Sequence, residues 1–119
     1  MFQMTPGANG KWKERVIHRF HGTDGIESFA TPVLDPAGNL YGTTFEGGSG
    51  RCGVCGTAFE LTPSAEGKWK ENVLHDFGSN MNDAGTPEAG MILNRAGHLF
   101  GTSSLGGADK NGTVYEITP

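Results

Sequence analysis

Asn39-Leu40-Tyr41-Gly42-Thr43-Thr44 is written a second time, with conservative changes, as His98-Leu99-Phe100-Gly101-Thr102-Ser103. The likeness runs outward on both sides. Phe59-Glu60-Leu61-Thr62-Pro63 returns as Tyr115-Glu116-Ile117-Thr118-Pro119, and Phe2-Gln3-Met4-Thr5-Pro6 is a third version near the start. Gly10-Lys11-Trp12-Lys13-Glu14 returns as Gly67-Lys68-Trp69-Lys70-Glu71, and Val16-Ile17-His18-Arg19-Phe20 as Val73-Leu74-His75-Asp76-Phe77. A tandem repeat of about 57 residues therefore governs the reading of every local motif. It makes the chain one repeat domain over 1–119, with a first copy at about 2–58, a second at about 59–114 and a closing strand at 113–119.

Each copy holds four short apolar segments separated by Gly, Pro, Asn and Asp clusters, the signature of strands joined by turns. In the first copy these are residues 12–20, 32–35, 40–45 and 57–62; in the second, 69–77, 91–94, 99–104 and 113–118. No segment sustains a helical stripe, and glycine, 20 residues in all, interrupts every candidate. Alternation puts Val16, His18 and Phe20 on one strand face, Phe59 with Leu61, and Tyr115 with Ile117. Val33-Leu34 and Met91-Ile92-Leu93 are apolar on both faces and read as strands buried on both sides. Asp35-Pro36-Ala37-Gly38-Asn39 reads as a tight turn: Pro36 presets φ, and Gly38 or Asn39 can take a positive φ.

The expected fold is all-β: two four-stranded antiparallel β-propeller-type blades. Two such units cannot close a ring and would leave aromatic rows exposed, so homo-oligomerisation of three or four chains into a complete propeller is expected. Number the strands of a copy from its apolar-on-both-faces segment. The copies then differ in length only between strands four and one (18–28 against 75–87) and between strands two and three (47–56 against 106–112). In an antiparallel unit those two connections emerge on one face, which is where function is expected.

A net charge of −4 and a pI near 5.4, with scattered cations, argue against a nucleic-acid partner. No apolar run approaches the roughly 18 residues of a membrane helix, so no membrane insertion is expected. No signal peptide is read at Met1. Because Phe2–Pro6 looks like the tail of a repeat strand, the chain reads as a piece of something longer or as a mature form.

Three ordered strings carry a family resemblance: Asp-Pro-Ala-Gly-Asn-Leu-Tyr-Gly-Thr-Thr (35–44), Val-Leu-His-Asp-Phe (73–77) and Gly-Thr-Val-Tyr-Glu-Ile-Thr-Pro (112–119). Together they resemble the GloVer tandem repeat over almost the whole chain, with a mild departure at Gly56-Thr57-Ala58-Phe59. The resemblance implies propeller blades and an extracellular or cell-surface origin in bacteria, and it implies no particular activity. In a secreted protein Cys52-Gly53-Val54-Cys55 reads as a small-loop disulfide. A zinc site would need ligands that have no suitable spacing here, and a redox motif would need a helix N-terminus; both remain alternatives.

The loop face is rich in acids and amides. Its candidate ligand-binding residues are Asp24, Glu27, Glu46, Arg51, Asn82, Asp83, Glu88 and Asp109, with Asn80, Lys110 and Asn111 nearby. Such groups can meet sugar hydroxyls, and the leading reading is a carbohydrate-binding module. Its rival is a polysaccharide-active glycoside hydrolase, with acid and base drawn from Asp24, Glu27, Glu46, Asp83 and Glu88. A purely architectural fragment is the third reading. No cofactor is expected; residues 80–85 resemble a calcium loop only loosely and lack its distal Glu. The repeated His18 and His75, like Trp12 and Trp69, read as packing residues, and His21 and His98 as solvated loop residues. Glu27 and Glu88 fall one position apart when the copies are aligned, so the copies are unequal and one specialised site per chain is expected.

Overall fold

In a computed structural model that describes residues 1–52 and 54–119, the chain is all-β apart from one short 3-10 turn at Ala8–Gly10. Eleven strands follow in order: β1 (Phe2–Pro6), β2 (Trp12–Val16), β3 (Val33–Leu34), β4 (Leu40–Thr43), β5 (Thr57–Pro63), β6 (Trp69–Asp76), β7 (Ala84–Gly85), β8 (Ile92–Leu93), β9 (Leu99–Ser103), β10 (Leu105–Gly106) and β11 (Thr113–Ile117). They form a β1-β2 hairpin, a four-stranded sheet β3-β4-β5-β6, a three-stranded sheet β8-β9-β11 and a small β7-β10 ribbon, all antiparallel. The three main sheets stack in sequence order, giving an elongated body of 54 × 31 × 24 Å.

Of the two four-stranded sheets expected, one has four strands and the other three. The segment at 12–20 does not join the sheet of its own copy: it shortens to β2 and pairs with β1, Phe2 opposite Val16 and Pro6 opposite Trp12. The hairpin reproduces the β5-β6 pairing, where Phe59 faces Val73 and Pro63 faces Trp69. Strand pairing thus runs across the copy boundary, because the five-residue connections 7–11 and 64–68, each closed by a bond from its first amide to its last carbonyl (Gly7 to Lys11 and Ser64 to Lys68, both 2.7 Å), follow Thr5-Pro6 and Thr62-Pro63.

The turns were drawn well by local chemistry. Asp35 accepts from the Asn39 amide through Oδ1 (2.8 Å) and from Asn39 Nδ2 through Oδ2 (2.9 Å), and Asn94 Oδ1 receives the His98 amide at 2.9 Å. The positive φ falls on Gly38 (+90°) rather than Asn39.

Two cores separate the sheets. Leu40, Phe59 and Leu61 are buried toward the hairpin, against Ile17, Phe20 and Trp69. On the other side Tyr41, Ala58, Phe77, Ala84, Met91 and Leu99 fill the space toward the three-stranded sheet, with Tyr115 and Ile117 against them. An aromatic relay repeats at both intervals: Phe20 lies edge-on to Phe59 at 5.0 Å, and Phe77 leans on Tyr115 at 4.9 Å. Each of those receiving rings lies over a glycine on the neighbouring strand. A Cβ on Gly42 would come within 2.6 Å of Phe59 Cζ, and one on Gly101 within 2.4 Å of Tyr115 Cζ. That contact explains why Gly recurs inside both copies of the opening motif.

The apolar pairs Val33-Leu34 and Ile92-Leu93 are corrected by the structure: β3 and β8 are two-residue edge strands, with Leu34 61% and Ile92 69% exposed. Each has a neighbour on one side only. Trp12, 63% exposed, is not a packing residue here, whereas its twin Trp69 closes the first core.

Candidate functional site

The two connections of unequal length do emerge on one face and touch. Ser49, between β4 and β5, donates its amide to Asp76 Oδ1 (2.8 Å) and its hydroxyl to Asp76 Oδ2 (2.7 Å). The Thr86 amide, between β6 and β8, donates to the Cys55 carbonyl at 2.9 Å. Loops from successive copies alternate along this face: Ile26 bridges to Glu46 in the first interval, and Gly85 pairs with Leu105 in the second.

Beneath the loops lies a repeated His–Asp pair. His18 Nε2 meets Asp24 Oδ2 at 3.0 Å; His75 Nε2 meets Asp83 Oδ2 at 2.9 Å. Each imidazole lies edge-on to a phenylalanine two residues on, Phe20 at 4.7 Å and Phe77 at 5.1 Å. Asp24 also accepts from the His21 amide (2.6 Å), and Asp83 from the Ser79 amide (3.0 Å), the Ser79 hydroxyl (2.8 Å) and the Ala84 amide (2.9 Å). Burial pushes the Asp83 carboxyl up, but the Ser79 bonds and His75 outweigh it and hold it below the ordinary carboxylate range. Both acids therefore brace the start of a loop, Asp83 with nearly all its accepting capacity and Asp24 with one bond to each oxygen.

The sign of the pH dependence follows. A carboxyl whose folded pKa is depressed stabilises the fold above its unfolded value, about 3.9, and loses that contribution as pH falls through the folded value. Asp83→Asn is expected to cost about 1–3 kcal/mol at pH 7. The difference from wild type should shrink in urea titrations repeated below about pH 4. A gap that stays constant down to the acid limit would refute the assignment.

The remaining candidates scatter. Glu27 is exposed with φ +60°, and the equivalent left-handed residue is Thr86 at +49°. Glu27 therefore corresponds to Thr86 and not to the neighbourhood of Glu88, which lies two positions further along. Glu46 is half-buried at the first interval; Asn82, Glu88 and Asp109 are exposed. Arg51 and Asp83 are brought together in a cleft of about 380 Å³ at the second interval. Asn80, Met81, Leu105, Lys110 and the Cys52–Cys55 disulfide complete its walls. Gly53, inside the Cys52-Gly53-Val54-Cys55 motif, lies outside the described residues. Among the described residues no group of three His, Cys, Asp or Glu side chains could hold a metal ion, and both Asp83 oxygens in the loose calcium-like string take protein donors.

Sequence reasoning missed Met81 and Leu105, apolar residues on a polar loop face, and the partners of His18 and His75. The histidine partnership carries a faint signal, an Asp six positions after His18 and eight after His75, obscured by the two-residue insertion between. His98 is not merely solvated: its Nδ1 meets the Glu116 carboxylate across β9 and β11.

Stacked antiparallel sheets built on one repeat, with unequal loops gathered on one face, define an all-β tandem-repeat protein. The chain belongs to the Gloeobacter/Verrucomicrobia repeat family, which matches it over residues 1–119. No curated protein and no solved structure matches it.

Proposed function

We propose that the protein is an extracellular β-propeller-type binding module whose loop-face cleft holds carbohydrate. One observation carries this reading: most of the 380 Å³ cleft's walls come from the two longer segments that break the repeat, with Leu105, Gly106 and Lys110 closing it. The longer 78–85 connection supplies Asn80 and Met81, and the longer 47–56 connection supplies Arg51 and the disulfide. The scaffold below, by contrast, repeats almost bond for bond. Thr57 Oγ1 meets Thr44 Oγ1 at 2.9 Å, as Thr113 Oγ1 meets Ser103 Oγ at 2.9 Å. Departures from a repeat concentrated at one concave place are what a binding site on a conserved scaffold looks like.

The disulfide on an exposed loop supports an oxidising compartment. Hydrolysis is the weaker reading. Asp24 and Asp83 belong to different intervals, and each is occupied by a histidine and backbone amides instead of facing an open acid–base pair. The four-stranded sheet is the complete blade, and the hairpin and the three-stranded sheet are parts of its neighbours. Blades from three or four chains would close the ring.

The test is a panel of immobilised polysaccharides and soluble oligosaccharides, read for both retention and newly released reducing ends. Retention without product is expected. Product release would replace this reading with the hydrolase; no retention on any glycan would remove carbohydrate from it.

A further inference from the structure

We infer that the cleft at the second interval is selective for an anionic sugar, a pyranose bearing a carboxylate of the uronic-acid kind. The inference rests on the carbohydrate-binding reading and names the substrate class within it. The fold leaves donor capacity in this cleft unspent. Asp83, the one carboxylate in the lining, is engaged through both oxygens by His75, Ser79 and the Ala84 amide. Asn80 Oδ1 already accepts the Asn82 amide at 3.0 Å. What remains is donors: the Asn80 amide hydrogens, the Arg51 guanidinium and the Lys110 ammonium, neither cation being ion-paired among the described residues. The lining thus holds two cations against one carboxylate in a protein of net charge −4.

The rest of the lining is apolar. Met81, Leu105, Ala84, Gly85 and the disulfide offer a surface for the C–H face of a sugar ring, with the charged donors at its rim. A guanidinium is well shaped for bidentate pairing with a carboxylate, and the lysine supplies a second point charge. The first interval has none of this: Glu46 stands at the position of Leu105 and would repel an anion, and its 21–25 connection lacks the insertion that carries Met81. Among the described residues there is therefore one such site and not two.

The experiment measures binding of the 119-residue chain to three oligosaccharides of matched length: oligogalacturonate, an uncharged gluco-oligosaccharide and a sulfated galactan fragment. Calorimetry is run at low and at high salt on wild type, Arg51→Gln and Lys110→Gln. Oligogalacturonate should bind at least about tenfold more tightly than the neutral sugar at low salt, and the preference should collapse at about 1 M salt. Each substitution should weaken it by about three- to tenfold, and by more than it weakens binding of the neutral sugar, so that the preference for the uronate narrows. Both side chains are exposed, so equal melting temperatures for the three proteins confirm intact folds. Stronger binding of the sulfated fragment than the uronate overturns the carboxylate assignment. Equal binding of neutral and anionic sugars overturns this inference alone, and binding of no sugar at all overturns it together with the carbohydrate reading.

Discussion

Phe77→Ala is expected to lower stability by about 3–5 kcal/mol. Phe77 is 2% exposed and sits where β6 ends, between the four-stranded and three-stranded sheets. Its ring leans on Tyr115 at 4.9 Å and receives His75 edge-on at 5.1 Å, while its amide donates to the Gly56 carbonyl at 3.0 Å. Truncation opens a cavity bounded by two sheets that are joined here mainly by side-chain contact, and rigid sheets close such gaps poorly. A chain of this size has about 5–15 kcal/mol in total, so a substantial fraction of the variant should be unfolded in mild urea. The measurement is urea unfolding followed by tryptophan fluorescence, with the midpoint falling and the slope unchanged. The twin substitution Phe20→Ala should cost less, because Phe20 is only half-buried. A loss under about 1 kcal/mol for Phe77→Ala would show that the sheets are held by something other than this relay.

If the chains assemble in the proposed ring of three or four, Val114→Asp is expected to leave single chains of 12.6 kDa, with little effect on the folding of each. The reasoning compares equivalent positions in the repeat. Ala58 is fully buried and Val33 half-buried beneath the following sheet, whereas their counterparts Val114 and Ile92 are 79% and 69% exposed. At the other end Phe59 and Leu61 are fully buried, whereas their counterparts Phe2 and Met4 are 61% and 44% exposed. The outer face of the three-stranded sheet is thus the open counterpart of the face that the next sheet covers within the chain, and the hairpin's outer face is the open counterpart of the one that the preceding sheet covers. Joining such ends between copies removes several large apolar side chains from water, each worth about 1.5–3 kcal/mol when fully buried. An aspartate at the centre of that contact has no partner and should shift the association midpoint by at least about two orders of magnitude. Sedimentation equilibrium reads the mass directly. The same change at the interior twin, Ala58→Asp, should instead prevent folding, since its site is already sealed within one chain. A monomeric wild type, or a Val114→Asp variant that assembles as before, would reject the ring.

Local chemistry made much of the fold readable from residues alone. Asp35-Pro36-Ala37-Gly38-Asn39 closes through its own side chains, so its turn needs nothing distant. The alternation of Phe59 and Leu61 placed their common face correctly because a strand's side chains have a strict period of two. The confinement of unequal loops to one face followed from antiparallel connectivity. Less was readable where exposure decides the outcome. Leu34 and Ile92 look like core residues, but they lie on edge strands with a paired neighbour on one side only. Composition cannot distinguish a face covered within the chain from one left open.

The all-β tandem repeat, its turns and the face on which variation collects are legible in the residues alone, because each depends on short-range geometry repeated at a fixed period. Only the tertiary structure decided that the 12–16 strand pairs backward with Phe2–Pro6 and that His18 and His75 brace Asp24 and Asp83. It alone brought Arg51, Met81 and Lys110 to one cleft. Those residues come from loops that neither share a strand nor keep the repeat spacing. Their proximity is set by how the sheets stack, a sum of inter-sheet contacts that no local pattern in the chain encodes.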